Sequence, residues 1–176
     1  FEALGVGIKL ENGDLALRTK FVAIDNLKNR NIIDRRAGRN ITAEEARLLA
    51  KSINENVKIG GEFEFKPSVE HRGVLVLRGD FSDNVSNIDN EYSNEDNEKF
   101  DFSKALHKDE NSLKTAEILN SFVSQSFAIL NNHKVNINRV KKGLMPANFL
   151  FLRGAGNEIP KMRKYNNWMS IQSMPL

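Results

Sequence analysis

Hydrophobic and polar positions change period several times along the chain, and each change marks an element. Leu15 to Ile24, "LALRTKFVAI", is rich in β-branched and large apolar types and reads as a strand. Asn26 to Asn29 has turn composition, and Asn31 to Asp34 reads as a short return strand, so the two form a hairpin. Thr42 followed by Glu45 three residues later is a capping box. Behind it Ala46, Leu49, Ala50 and Ile53 recur at helical spacing, which predicts an amphipathic helix over 43–55. Gly60-Gly61 breaks the chain, and Glu62 to Lys66 alternates strictly, as a half-exposed strand does. After a turn at Pro67 to Glu70, Gly73 to Leu77 is a continuous apolar run, the signature of a central strand.

Residues 80–111 change character. They are polar, acidic and Asn-rich, and predict a long surface loop, partly disordered. Leu113, Ala116, Leu119, Phe122 or Val123, Phe127 and Leu130 then mark one helix face, ended by Asn131 to His133 and Gly143. Ala147 to Leu152 is a last apolar strand.

The order β, α, β, β, α, β, with a hairpin after the first strand, predicts an α+β fold. It is a two-layer sandwich with a ferredoxin-like βαββαβ antiparallel sheet and helices on one face. Two strands finish in Leu-Arg-Gly, at 77–79 and 152–154, an echo expected of two βαβ-like halves. This topology places Arg78 and Arg153 at one sheet edge. Arg35, Arg36 and Arg39 fall near His71 and Arg72 at the other.

At 176 residues the chain suits one domain. Its net charge of +3 and pI near 9.1 are weak pointers to nucleic acid, because acidic residues nearly balance basic ones. The absence of cysteine removes disulfides, thiolate zinc sites and cysteine nucleophiles, and fits a reducing, cytoplasmic location. No apolar run is long enough for a membrane helix, so no membrane partner is expected. The chain starts without Met and ends mid-pattern, and reads as a piece of a longer protein.

Several residues could carry chemistry. Arg35, Arg36 and Arg39 in "IIDRRAGR" present guanidinium forks suited to phosphate or carboxylate, just before a helix N-terminus; an exposed loop with Asp34 as counter-ion is the plainer alternative. His71 and Arg72 at a strand entrance could bind an anion or be ordinary surface residues. Arg78 and Asp83 flank a strand end where sites tend to sit, although the acidic spacing there is not that of a calcium loop. Arg153-Gly154-Ala155-Gly156 could be a ligand-approaching turn or a plain glycine turn. His71, His107 and His133 form no two-histidine metal motif, and no nucleophile elbow is present. An RNA-recognition module would need aromatic residues on its third strand, but Arg72 to Leu77 holds only aliphatic ones, so no nucleic-acid partner is expected.

Five ordered segments, "FEALGVGIKLENGDLALRTKF", "IIDRRAGR", "EHRGVLVLRGDFSDNVSNID", "KTAEILNSFV" and "PANFLFLRGAG", together resemble the archaeal-type 2,3-bisphosphoglycerate-independent phosphoglycerate mutases. The resemblance covers roughly residues 1–160. It implies membership of the alkaline phosphatase superfamily and a domain inserted into a catalytic domain of the same chain. Residues 13–156 would be the inserted part, with 1–12 and 157–176 as fringes of the catalytic domain. It further implies that two divalent metal ions (Mn, Mg or Zn), their ligands and a phosphorylated serine lie outside this span, which holds no catalytic residue of its own. The substrate would be phosphoglycerate, interconverted between its 2- and 3-isomers, and held here by Arg35, Arg36, Arg39, His71, Arg72, Arg78, Asp83 and Arg153. Another phosphatase or phosphomutase of the superfamily, or a free-standing anion- or RNA-binding module, is the alternative. The sequence departs from the family after Ser86, where Asp-x-Asp-Pro-His is usual and Asn87-Ile88-Asp89-Asn90-Glu91 stands instead.

Overall fold

The computed structural model describes residues 2–89 and 99–159. Its elements run α1 (Glu2–Gly5), β1 (Leu15–Ile24), β2 (Ile32–Asp34), a 3-10 turn (Ala37–Arg39), α2 (Ala43–Asn56), β3 (Phe63–Pro67), β4 (Arg72–Leu77), α3 (Glu110–Asn131), α4 (Lys134–Lys141) and β5 (Phe149–Gly156). All strand pairings are antiparallel: β1 lies between β4 and β5, β3 flanks β4, and β2 pairs with the far end of β1. The order β5-β1-β4-β3 is that of the split βαβ arrangement, and the fold is α+β, as the sequence predicts.

One face of the sheet makes the main core. Leu15, Leu17, Phe21, Phe65, Leu75 and Leu77 pack against Leu49 and Ile53 of α2 and Leu119, Phe122 and Val123 of α3. Helix α2 starts where predicted, because Thr42 Oγ1 accepts from the Glu45 N–H while the Glu45 carboxylate accepts from the Thr42 N–H. Helix α3 is capped by Asp109, whose carboxylate accepts from the Ser112 N–H. Leu113, expected on its apolar face, is exposed instead; the buried stripe runs through Thr115, Ala116 and Leu119. On the opposite face, Ala3 and Ile8 cover Val74 and Val76, so the first residues of the chain shield one half of that face and leave the other half to charged groups.

Two parts of the chain differ from expectation. The described parts of the expected surface loop, 80–89 and 99–109, do not lie wholly on the surface: Phe81, Val85, Ile88 and Phe100 are buried in the main core. Polar composition masked them because they are isolated apolar residues with no period. Residues 90–98 of the loop expected to be partly disordered lie outside the described residues, as does most of the 157–176 fringe. Helix α4 was not predicted, since its eight residues carry few apolar side chains. It brings the fully buried Arg139 to the turn at 37–40, where Arg139 donates to the Ala37 carbonyl (3.0 Å), to Asn40, to the Glu45 carboxylate (2.8 Å) and to the Met145 carbonyl (2.9 Å).

Two stability predictions follow from this packing. Gly73 is buried, and a Cβ there would lie 2.8 Å from both the Lys66 carbonyl oxygen and Thr19 Oγ1. Gly73→Ala is therefore expected to cost about 1–3 kcal/mol in urea unfolding, against no loss if the strands can part without strain. Arg139→Met would leave a carboxylate and several carbonyls without their donor, at about 3 kcal/mol, and should expose the 37–40 turn to limited proteolysis.

Candidate functional site

The alternation of β1 builds the site. Arg18 and Lys20 are two residues apart and share a face, the one turned away from the main core. Lys20 stands opposite Arg72 on β4, and Arg18 stands opposite Arg153 on β5, so three neighbouring strands bring four cations to one patch. The turn after β2 adds Arg36 and Arg39, and the β3–β4 hairpin adds His71 and Glu70. Together with Glu2 from α1 and Thr19 they line a cavity of about 220 Å³, small enough to suit a small polar metabolite or ion rather than a large ligand.

The loop that presents Arg36 and Arg39 is held in an uncommon shape. Ala37, Gly38 and Arg39 have φ of 46°, 71° and 55°, three consecutive residues in the left-handed region, two of them not glycine. The Asp34 carboxylate ties the loop by accepting from the N–H groups of Arg36 (2.7 Å) and Gly38 (2.9 Å), and Arg139 ties it from behind. Asp34 thus serves the backbone of the loop and is not the counter-ion of its arginines.

The cations fall into two sets. Lys20 Nζ lies 2.7 Å from Asp89 Oδ2, Arg35 donates to Asp89 Oδ1 at 3.2 Å, and Arg153 approaches Asp89 Oδ2 at 3.8 Å. The Asp89 side chain is wholly buried among them. Arg18 pairs with Glu2 at 2.7 Å. The guanidinium groups of Arg36, Arg39 and Arg72, by contrast, make no hydrogen bond or ion pair with any described residue, yet all three line the same cavity. His71 is buried there, and its Nδ1 has no hydrogen-bond partner. Burial pushes the His71 imidazole below its ordinary pKa, the neighbouring Arg72, Lys20 and Arg36 push it the same way, and Glu70 opposes them.

Of the residues singled out in the sequence, Arg36, Arg39, His71, Arg72 and Arg153 line this cavity. The expected nearness of the DRRAGR loop to His71 and Arg72 is what the structure has. The expected pairing of Arg153 with Arg78 is not. Strand β5 continues to Gly156, so Arg153 lies inside it, level with Arg18 rather than at a strand end. Arg78 lies at the opposite end of β4, about 20 Å from Arg72 at some 3.3 Å per residue. There it bridges Asp14 and Glu64 (2.9 Å to Glu64). Burial pushes the Asp14 carboxyl up, but the hydrogen bonds from the Glu11 N–H and Arg78 outweigh it and hold Asp14 below its usual range. Arg35 stands behind the cavity, on Asp89 and 5.8 Å from the centre of the Phe151 ring. Asp83 is exposed and is not among the residues lining the cavity.

Sequence reasoning missed Arg18, Lys20, Asp89 and Arg139. Arg18 and Lys20 were visible as the charged positions of an otherwise apolar strand. Asp89 keeps the second aspartate of the Asp-x-Asp-Pro-His pattern even though its neighbours depart from it.

The comparisons with known proteins agree with one another. The family profile of 2,3-bisphosphoglycerate-independent phosphoglycerate mutase matches residues 1–136. Proteins of that name from Pyrococcus abyssi and Thermococcus kodakarensis are 45% and 43% identical over 160 and 170 residues, covering 89% and 95% of this chain. The chain spans only 36% and 39% of their lengths. A solved structure, the cofactor-independent phosphoglycerate mutase of Thermoplasma acidophilum, superposes with a TM-score of 0.75 at 35% identity, over 89% of this chain and 40% of that one. The sheet, the cationic cavity and the ordered motifs thus belong to a segment shared with longer proteins, and this chain is a member of the 2,3-bisphosphoglycerate-independent phosphoglycerate mutase family.

Proposed function

We propose that this chain is the substrate-holding part of an enzyme that interconverts 2- and 3-phosphoglycerate in the cytoplasm, as a step of glycolysis and gluconeogenesis, without bisphosphoglycerate. The observation that carries the reading is the set of three guanidinium groups, Arg36, Arg39 and Arg72, unpaired among the described residues and facing one cavity. Like charges gathered in a half-enclosed site are favourable only when an anion joins them. Phosphoglycerate carries a phosphate and a carboxylate, and arginine forks match both.

In the proposed reaction the phosphoryl group passes to a serine and returns to the other hydroxyl. The glycerate must stay bound and turn in between. Arg36, Arg39 and Arg72 would retain it, Lys20 and Arg153 would set the field of the cavity floor, and preformed positions would spare reorganisation as charge moves. The described residues hold no cluster of three or more His, Cys, Asp or Glu placed for a metal ion. In this reading the two divalent metals and the serine of the proposed chemistry would belong to the catalytic part of the same protein, which would close over this cavity. Among the described residues no helix is long and apolar enough to cross a membrane.

The full-length protein, given Mn, Mg or Zn and no bisphosphoglycerate, is expected to interconvert the two phosphoglycerates. Absence of turnover with all three metals, or a better turnover of another phosphomonoester in a substrate panel, would overturn the reading. Arg36→Ala should raise KM for phosphoglycerate about 10- to 100-fold, the range for losing a charge-assisted hydrogen bond. Arg78→Ala, at the other end of the sheet, should lower stability and leave KM within about two-fold. The reverse pattern would place the substrate elsewhere.

A further inference from the structure

We propose that His71 makes this cavity a proton-coupled site for a doubly charged phosphate group: the ring is neutral in the anion-free protein and takes one proton from solvent as the dianion binds. The inference rests on the reading of the cavity as a phosphoglycerate site and says which chemical group His71 recognises there.

The geometry around the ring is specific. The His71 side chain is 6% exposed, and its buried Nδ1 makes no hydrogen bond. The nearest carboxylate oxygen, Glu70 Oε2, lies 3.7 Å from Nδ1, beyond hydrogen-bond reach, on a side chain that is 60% exposed and free to turn. Among the described residues the other charges that act most strongly on the ring are positive: Arg72, next in the chain, Lys20 on β1, whose own charge is shared with Asp89, and Arg36 on the turn before α2. Arg18, Arg39 and Arg153 line the same cavity, against Glu2 and Glu70. Burial and this surplus of cations both hold the ring neutral.

A bound dianion reverses the balance. It cancels the field of Arg36 and Arg72 and turns repulsion of the imidazolium into attraction. Once protonated, the ring has two donors. Nδ1–H gains an acceptor by a small rotation of Glu70, and the other ring N–H is available to a phosphate oxygen. The atoms balance simply: one anion and one proton enter, and no covalent bond changes. A carboxylate brings one negative charge and a phosphate two, so the coupling favours the phosphate end of phosphoglycerate. It also fixes the sign of the pH dependence: because binding takes up a proton, affinity falls as pH rises, by at most ten-fold per unit.

The test uses full-length protein with sulfate, which does not titrate near neutrality, and with 3-phosphoglycerate. Titration calorimetry at pH 7 in two buffers of different ionisation heat counts protons per anion bound. Histidine labelled with 13C at Cε1 reports the His71 ring directly in the unsubstituted protein. The expected result is uptake of a substantial fraction of a proton, a His71 signal that moves to the imidazolium position with sulfate, and sulfate affinity falling several-fold between pH 6.5 and 8. In His71→Gln the uptake and the pH slope should vanish while weaker binding persists. Binding that Arg36→Ala weakens, but without proton uptake or with uptake unchanged in His71→Gln, would overturn this inference and leave the substrate-holding reading standing. Absence of any anion binding that depends on Arg36 would overturn both.

Discussion

The pairing of β1 with β4 on one side and β5 on the other determines where every charge of the cavity lies. A strand has two faces, and successive side chains must alternate between them. In β1 the inward positions are Leu15, Leu17, Thr19 and Phe21, while Arg18 and Lys20 take the outward ones. The register then places Arg72 and Arg153 beside them. A shift of one residue in either pairing would bury these cations in the main core, where no counter-charge waits. Burial of the apolar face and assembly of the cationic face are therefore the same event. Gly73, which has no room for a Cβ, is part of that constraint, because it fixes how closely β3, β4 and β1 approach just beneath Arg72.

Charge compensation divides the arginines into structural and available groups more sharply than their positions do. Arg78 is locked between Asp14 and Glu64 and shares nothing with the cavity except residue type. Arg35, Lys20 and Arg153 converge on Asp89, a buried carboxylate that would be untenable without them. Asp89 in turn offsets the charge of two lining cations, Lys20 and Arg153. What remains uncompensated within the described residues, Arg36, Arg39 and Arg72, is the part of the surface that gains most from an incoming anion. A count of arginines in the sequence cannot make this division, because the carboxylates that silence some of them come from 14, 64 and 89, far away in the chain.

The sheet was legible because its strands are long or strictly patterned, and because Thr42 and Glu45 announce a helix through a local rule. The loop at 80–111 was read as surface because its core residues, Phe81, Val85, Ile88 and Phe100, obey no period; only tertiary packing shows that they fill the edge of the core. Half of the site was legible through motifs that concentrate charge, DRRAGR and EHRG. Arg18 and Lys20 were overlooked since a charged residue in a half-buried strand is ordinary, and its meaning depends on what stands opposite. Arg153 was read at a strand end although its strand runs on to Gly156, and Arg78 was placed beside it through a shared Leu-Arg-Gly that the two strands put at different heights.

The DRRAGR turn shows how the fold meets the demand for preformed charge. Three left-handed residues in a row, with Ala37 and Arg39 among them, cost backbone energy of roughly 1–2 kcal/mol each for the non-glycine positions. A flexible loop would avoid that cost and would present Arg36 and Arg39 as a distribution of poses. Here the Asp34 carboxylate gathers the loop's amides from one side, and Arg139, fully buried, gathers its carbonyls from the other. Arg139 also holds Glu45, which is the reciprocal partner in the α2 capping box, so the start of α2 and the shape of the turn are fixed by one guanidinium. The strain is thus over-determined by contacts that come from α4 and from β2, outside the cavity itself. Two arginines held in this way can face an anion without first losing their freedom, and that is the condition under which like charges, crowded together, become a binding site instead of a liability.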